Sequence, residues 1–265
     1  MTRILGTPPI DYFIEAVRGS TAGVTYIDKF GRNIEIDSGV VADIWDGGHT
    51  GDEALIWVAP TTARIHDIKS SSTSDDGDPA GVGARTIKIY GLTGWDTAEV
   101  TEDITLNGTN NVATANSYVI IHRMEILTKG ATNVNVGLVT ATAQTDGTIT
   151  AQIRASQGQT QMAVYGIPST QTLYLGRFYA NVNKAGGAAG LIDVALCWNP
   201  EPDSELNNFL IKHTFGLQTV GTSAFSIPYY TPKKFVGSGI LKIQVTSGTA
   251  NMDVSAGFDG VLINN

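Results

Sequence analysis

The stretch 83–109, GARTIKIYGLTGWDTAEVTEDITLNGT, decides how the rest of the chain is read. Thr86-Ile87-Lys88-Ile89-Tyr90 alternates apolar and polar side chains at period two, Gly91 to Asp96 supplies turn-forming residues, and Val100 to Leu106 returns the chain. Asn107-Gly108 is a second turn signal. The spacing predicts a β-hairpin, and nothing in it carries chemistry.

Working outward, the same signals recur. Downstream, Ser117 to Leu127 (SYVIIHRMEIL) puts Tyr118, Ile120, His122, Met124 and Ile126 on one face of a strand, with Val119, Ile121, Arg123, Glu125 and Leu127 on the other. Both faces are largely apolar, so the strand is expected to be covered on both sides or to turn one face to a partner. Upstream, short extended pieces at 24–28 and 33–36 flank a turn at Gly31, strands are expected at 54–59 and 63–69 around Pro60, and 70–78 (SSSTSDDGD) reads as an exposed polar loop. Residues 130–147 are expected to hold an edge strand and a connection. Beyond them, strands are expected at 148–155, 161–167, 172–183, 191–198, 209–217, 223–227, 240–246 and 257–263, a density that suits a sandwich or jelly roll. In the strand at 240–246, Leu241, Ile243 and Val245 face one way and Lys242 and Gln244 the other. The expected fold class is therefore all-β. Its organisation reads as two tandem β-sandwich or jelly-roll-like domains, 24–145 and 146–265, after a short N-terminal arm, 1–23.

Composition narrows the function. The chain has 265 residues, 30 of them Gly, with 16% charged residues and a net charge of -8. Such an acidic chain, whose longest basic cluster is Lys233-Lys234, lacks the clustered cations that bind phosphate backbones, so no nucleic-acid partner is expected. No apolar run approaches the roughly 18 residues of a spanning helix, so no membrane partner is expected either. The N-terminus has no secretory signal, which points to assembly in a cytoplasm. The single cysteine, Cys197, lies in the apolar run 191–198 and reads as a buried core residue.

Candidate chemistry is sparse. Asp43, Asp46, Asp52 and Glu53 lie near Trp45 and Trp57, and paired carboxylates beside aromatic rings are what glycoside hydrolysis uses. Acids next to glycines more often cap turns. Asp75, Asp76 and Asp78 offer oxygen ligands for calcium, but without the spacing of an EF-hand loop, and no other cofactor is suggested. His49, His66, His122 and His213 show no metal-ligand spacing with one another, and His122 and His213 sit in apolar strands as hydrogen-bonded core histidines would. No nucleophile elbow or phosphate-cradling glycine loop is present, so no enzymatic role is expected. The remaining signal is aromatic. Trp45, Trp95, Trp198, Tyr229 and Tyr230 lie close to Gly or Pro and are either interface anchors or plugs at the ends of a core, and Tyr12 and Phe13 in the arm are further interface candidates.

The segments 29–33 (KFGRN), 43–48 (DIWDGG), 83–86 (GART), 89–92 (IYGL), 106–109 (LNGT) and 254–259 (VSAGFD) together resemble a family of tailed-bacteriophage virion structural proteins. The resemblance implies a protein of the virion that works by assembly and supplies no catalytic residues. On that footing the chain is expected to be a head-decoration or head-fibre protein, forming a homotrimer or other symmetric oligomer and docking on a major capsid protein or other virion proteins. The first domain and the arm are expected to dock, the arm by adding a strand to a neighbour's sheet, while the second domain projects. The alternative is a tail-associated fibre, collar or receptor-binding protein that recognises a host-surface glycan.

Overall fold

The computed structural model describes residues 14–47, 54–184, 187–204 and 208–265. Its strands run in the order β1 (Val24–Ile36), β2 (Val41–Asp43), β3 (His66–Ser70), β4 (Ala84–Leu92), β5 (Val100–Thr105), β6 (Val112–Ala113), β7 (Ile120–Lys129), β8 (Val139–Ala143) and β9 (Ile149–Ile153). They continue as β10 (Val164–Ile167), β11 (Gln171–Lys184), β12 (Leu191–Asn199), β13 (Leu210–Gln218), β14 (Ala224–Val236), β15 (Gly239–Ser247) and β16 (Met252–Asn264). The all-β expectation holds. The hairpin forms as its alternation predicts, with β4 and β5 antiparallel and Ile87 opposite Ile104.

The tandem division at 145 does not hold. β1 pairs with β16, Val24 opposite Ile263 and Lys29 opposite Phe258, so both ends of the described chain share one sheet of order β1-β16-β11-β14. β2 joins β10 along one edge of β15 in the second sheet, β10-β15-β12-β13. These two sheets bury a common core that includes Ile27, Phe178, Val194, Leu196, Ile243 and Phe258. Everything from β3 to β9 is inserted between β2 and β10. It forms its own pair of sheets, β6-β3-β8-β9 and β5-β4-β7, around a core of Ile68, Ile87, Ile89, Met124, Val139 and Ala141. Alternation marks which residues face a core but not which distant strand shares it, so the partner of β1 was invisible to a local reading.

The insert also covers one face of the sandwich. Its core takes in Met162, Val164 and Ile240, and Lys242, expected to face solvent, is buried. Other local expectations change for identifiable reasons. β8 lies inside its sheet, between β3 and β9, and is not an edge. Residues 54–59 form no strand, because their backbone is spent on β2: Asp43 donates to the carbonyl of Leu55, and Trp57 donates to the Asp43 carboxylate. β14 runs well past 227 through Pro228 and Pro232, which an edge strand tolerates because its outer N–H groups need no ladder partner. β7 carries a bulge, since Tyr90 pairs with Arg123 and Gly91 with Ile121, leaving His122 as the extra residue. The side chain of His122 is thereby freed from the alternation with Ile120 and Met124 and meets the sandwich instead. Of the arm, residues 14–17 are helical, while Tyr12 and Phe13 lie outside the described residues.

Candidate functional site

The paired carboxylates near Trp45 and Trp57 are structural. Asp43 is fully buried and accepts from Lys242 Nζ at 2.6 Å, Gln244 Nε2 at 3.0 Å and the Trp57 N–H at 2.9 Å. Burial pushes its carboxyl up, against the pull of Lys242 and the other donors. Asp46 is buried with its carbonyl taken by Gln152 and Arg154, and Asn33 pins the turn by bonding the Asp43 carbonyl and the Asp46 N–H. The rings that would grip a sugar are inside as well: Trp45 donates to the carbonyl of Leu55 and Trp57 to that of Thr150. No sugar reaches these acids. Asp52, Glu53 and His49 lie outside the described residues.

The acidic loop 70–78 is likewise organised from within. Asp75, expected to be exposed, is buried and accepts four hydrogen bonds, from Ser70 Oγ and the N–H groups of Ala84, Val136 and Gly137 at 2.6–2.8 Å. Gly83 is required beside it, because a Cβ there would lie 2.1 Å from the Asp75 carboxylate. With Asp75 saturated and Asp76 capping the N–H of Asp78, the calcium reading loses its central ligand. Among the described residues no group of three or more His, Cys, Asp or Glu side chains is placed to hold a metal.

The histidines serve different roles. His66 is buried in β3 with Nδ1 on the carbonyl of Arg64. His213 is half-buried and meets the hydroxyl of Tyr229 at 2.9 Å. His122 faces a cleft between the insert and β1, where Nε2 meets Glu99 at 2.5 Å and Lys29 donates to the His122 carbonyl. Cys197 is buried as expected, and burial pushes its thiol up to about 11.

The aromatic candidates separate into plugs and exposed groups. Trp45 and Trp95 are buried in the insert's core, and Trp198 is buried in the sandwich against Phe235, so none of the three is an interface anchor. Tyr229 and Tyr230 lie on the flank of the sandwich where both sheets end. Among the described residues β14 is the open edge of one sheet and β13 of the other. Between them the flank is closed by His213 on Tyr229, by Phe215 against Phe225 with ring centroids 5.3 Å apart, and by Lys233, which reaches across to the carbonyl of Lys212. Outside this seam, Tyr230 is 100% exposed, Ile211 66% and Phe225 46%. Leu210 at the start of β13, Val236 at the end of β14 and Val220 in the connection between them are exposed as well. The flank thus joins two unpaired strand edges, a set of exposed large apolar side chains and the cations Lys212, Lys233 and Lys234. Ile211 and Phe225 were not anticipated, since an apolar residue on an alternating strand reads as core unless the strand is known to be an edge.

No family model and no curated protein matches the chain. Among solved structures, it aligns with a chain from the Gx strain of infectious bursal disease virus at 10% identity and TM-score 0.23, covering 91% of this chain and 73% of that one. It aligns with the infectious bursal disease virus VP2 subviral particle at 10% identity and TM-score 0.23, covering 96% and 78%. Likenesses this slight carry no argument about fold or role.

Proposed function

We propose that this chain is a non-enzymatic structural component of a virus particle, a head-decoration or head-fibre protein that associates with copies of itself. The observation that carries self-association is the β13–β14 flank. An isolated soluble sandwich normally covers or breaks such edges; β14 is blunted by two prolines and by Lys233 and Lys234, whereas β13 has Lys212 alone and presents Leu210 and Ile211 beside it. The occupant we assign is a second copy. The flank gathers Lys212, Lys233 and Lys234 on a chain of net charge -8, so it is drawn to another copy's acidic surface more than to its own like. A head-to-tail contact of that kind gives a ring when its rotation closes, the case that a trimer or other symmetric oligomer requires. The insert covers the opposite side of the sandwich and is left free to dock on a particle or to project. The virion setting rests on the sequence resemblance of segments 29–33, 43–48, 83–86, 89–92, 106–109 and 254–259.

Sedimentation velocity at micromolar concentration tests the reading. The wild-type chain is expected to sediment as a defined oligomer, and Ile211→Asp combined with Tyr230→Asp as a folded monomer. A monomeric wild type, or a variant whose oligomer is unchanged, overturns it. Copy number per particle then separates head decoration, with many copies, from a tail fibre, with few.

A further inference from the structure

A cleft of about 140 Å³ lies where β1 of the sandwich meets β4 and β7 of the insert. Lys29 enters it from β1 and is only 7% exposed. Among the described residues its ammonium has one hydrogen-bond acceptor, the carbonyl of His122 on the bulge of β7. His122 itself is buried, with Nε2 on Glu99 and ring centroid 4.4 Å from that of Tyr165, and its buried Nδ1 has no partner among the described residues. With Nε2–H donated to Glu99, the unpartnered Nδ1 holds a bare lone pair. Two proton acceptors from opposite sides of the junction are therefore enclosed together; Lys29 has a carbonyl and no carboxylate on its ammonium, and His122 is backed by Glu99 at Nε2 but has no acceptor at Nδ1 among the described residues.

We propose that the Lys29–His122 contact is an acid-sensitive latch, which holds the insert against the sandwich at high pH and loosens as protons are taken up. The surroundings supply the driving force. From the insert, Arg123 adds positive charge, though it is paired with Glu125, which also takes the hydroxyl of Tyr90. Of the carboxylates at the cleft, Glu99 is engaged on His122 and Asp28 lies on β1 beside Lys29. From the sandwich come Asp28 and Tyr26 on β1 itself, the Arg177–Asp259 pair and Tyr179 on the adjoining strands, and Tyr165 on β10. Protonating Lys29 or His122 in the closed state places a desolvated cation near Arg123, whereas in the open state water solvates it.

The sign follows from linkage. Burial, then Arg123, lowers the Lys29 amine from 10.5 to about 7, with Glu99 and Asp28 pulling the other way. The open state therefore binds more protons between those values, and closure strengthens as pH rises through that window. Burial also lowers His122 from 6.5 against the hydrogen bond to Glu99, so closure weakens further as pH falls below 6.5. Glu99 is lowered, because His122 and the nearby cations outweigh its burial, and its contribution to closure is lost only on going below 4.5. The Lys29 interval alone allows as much as about a 3000-fold change in the closed-to-open ratio.

Hydrogen exchange across the junction measures it, read at the amides of Asp46 and Thr160, which bond the carbonyls of Arg32 and Met124. After correction for intrinsic rates, protection is expected to rise by about 100-fold or more between pH 6.5 and 9 in the wild type. In Lys29→Met it should stay flat to within about threefold. His122→Gln should remove the loss below pH 6.5 and keep the rise above it. Wild-type protection independent of pH, or a Lys29→Met profile like the wild type, overturns the latch. If Lys29→Met does not fold, the wild-type and His122→Gln profiles decide alone.

Discussion

Asp43→Ala removes the group on which three separate segments converge. Its carboxylate holds the buried Lys242 ammonium at 2.6 Å, the Gln244 amide at 3.0 Å and the Trp57 N–H at 2.9 Å, and so joins β2, β15 and the chain leading into the insert. Lys242 is 2% exposed, and its one other charge-stabilising contact in view is the ring of Phe209, 4.0 Å away. Stripping one partner from a buried ion pair costs about 3–5 kcal/mol, because the remaining charge stays desolvated. The orphaned Trp57 N–H adds about 1–3 kcal/mol, with partial overlap between the two. The expected loss is about 4–6 kcal/mol, a large share of the roughly 5–15 kcal/mol of a typical domain. Asp43→Ala with Lys242→Met removes the stranded charge and should recover at least about 2 kcal/mol of that loss. Guanidinium denaturation of the four proteins of this cycle, compared at equal m-values, measures both quantities. An Asp43→Ala cost below about 1 kcal/mol, or a double variant no better than the single, refutes the assignment of this pair as the buried tie joining β2, β15 and the chain that leads into the insert.

Three further outcomes are expected. Asp75→Ala leaves three N–H groups, those of Ala84 and Gly137 buried and that of Val136 part-buried, and Ser70 Oγ without their acceptor and should cost about 3–6 kcal/mol, seen as a fall of roughly 10 °C in the melting midpoint. Because that carboxylate is saturated, millimolar calcium or a chelator should move the wild-type midpoint by less than about 1 °C; a larger rise with calcium would show that the loop binds it after all. Cys197, buried and with its thiol pushed up to about 11, should resist a thiol reagent at pH 8 in the native protein and react fully on unfolding.

The hairpin and nearly all the strands were legible because alternation and turn residues are local. Their partnership was not. Ile27 and Ile36 satisfy a half-buried pattern whether β1 pairs with its neighbour or, as it does, with β16 from the far end of the chain. The same limit hid the site. Asp75 sits in a run with no apolar residue and reads as solvated, yet the chain folds three backbone donors onto it. Trp45 and Trp95 beside glycines read as core plugs more often than as anchors, and the position of the insert's core makes them plugs. The six segments of the family resemblance also changed meaning. Asn33 of KFGRN bonds Asp43 and Asp46 of DIWDGG, and Gly83 of GART makes room for Asp75, so these markers record how the fold is tied together. His122 could be placed on a strand but not aimed, since a bulge leaves no trace in an alternating pattern.

Self-association through the β13–β14 flank is the central claim, and the most direct test is hydrogen exchange of the wild-type chain as a function of its concentration. Protection at 210–218 and 224–236 is expected to rise with concentration while that of β4 and β5 stays constant. Protection on the flank that does not change with concentration, or a rise confined to another surface, would contradict it.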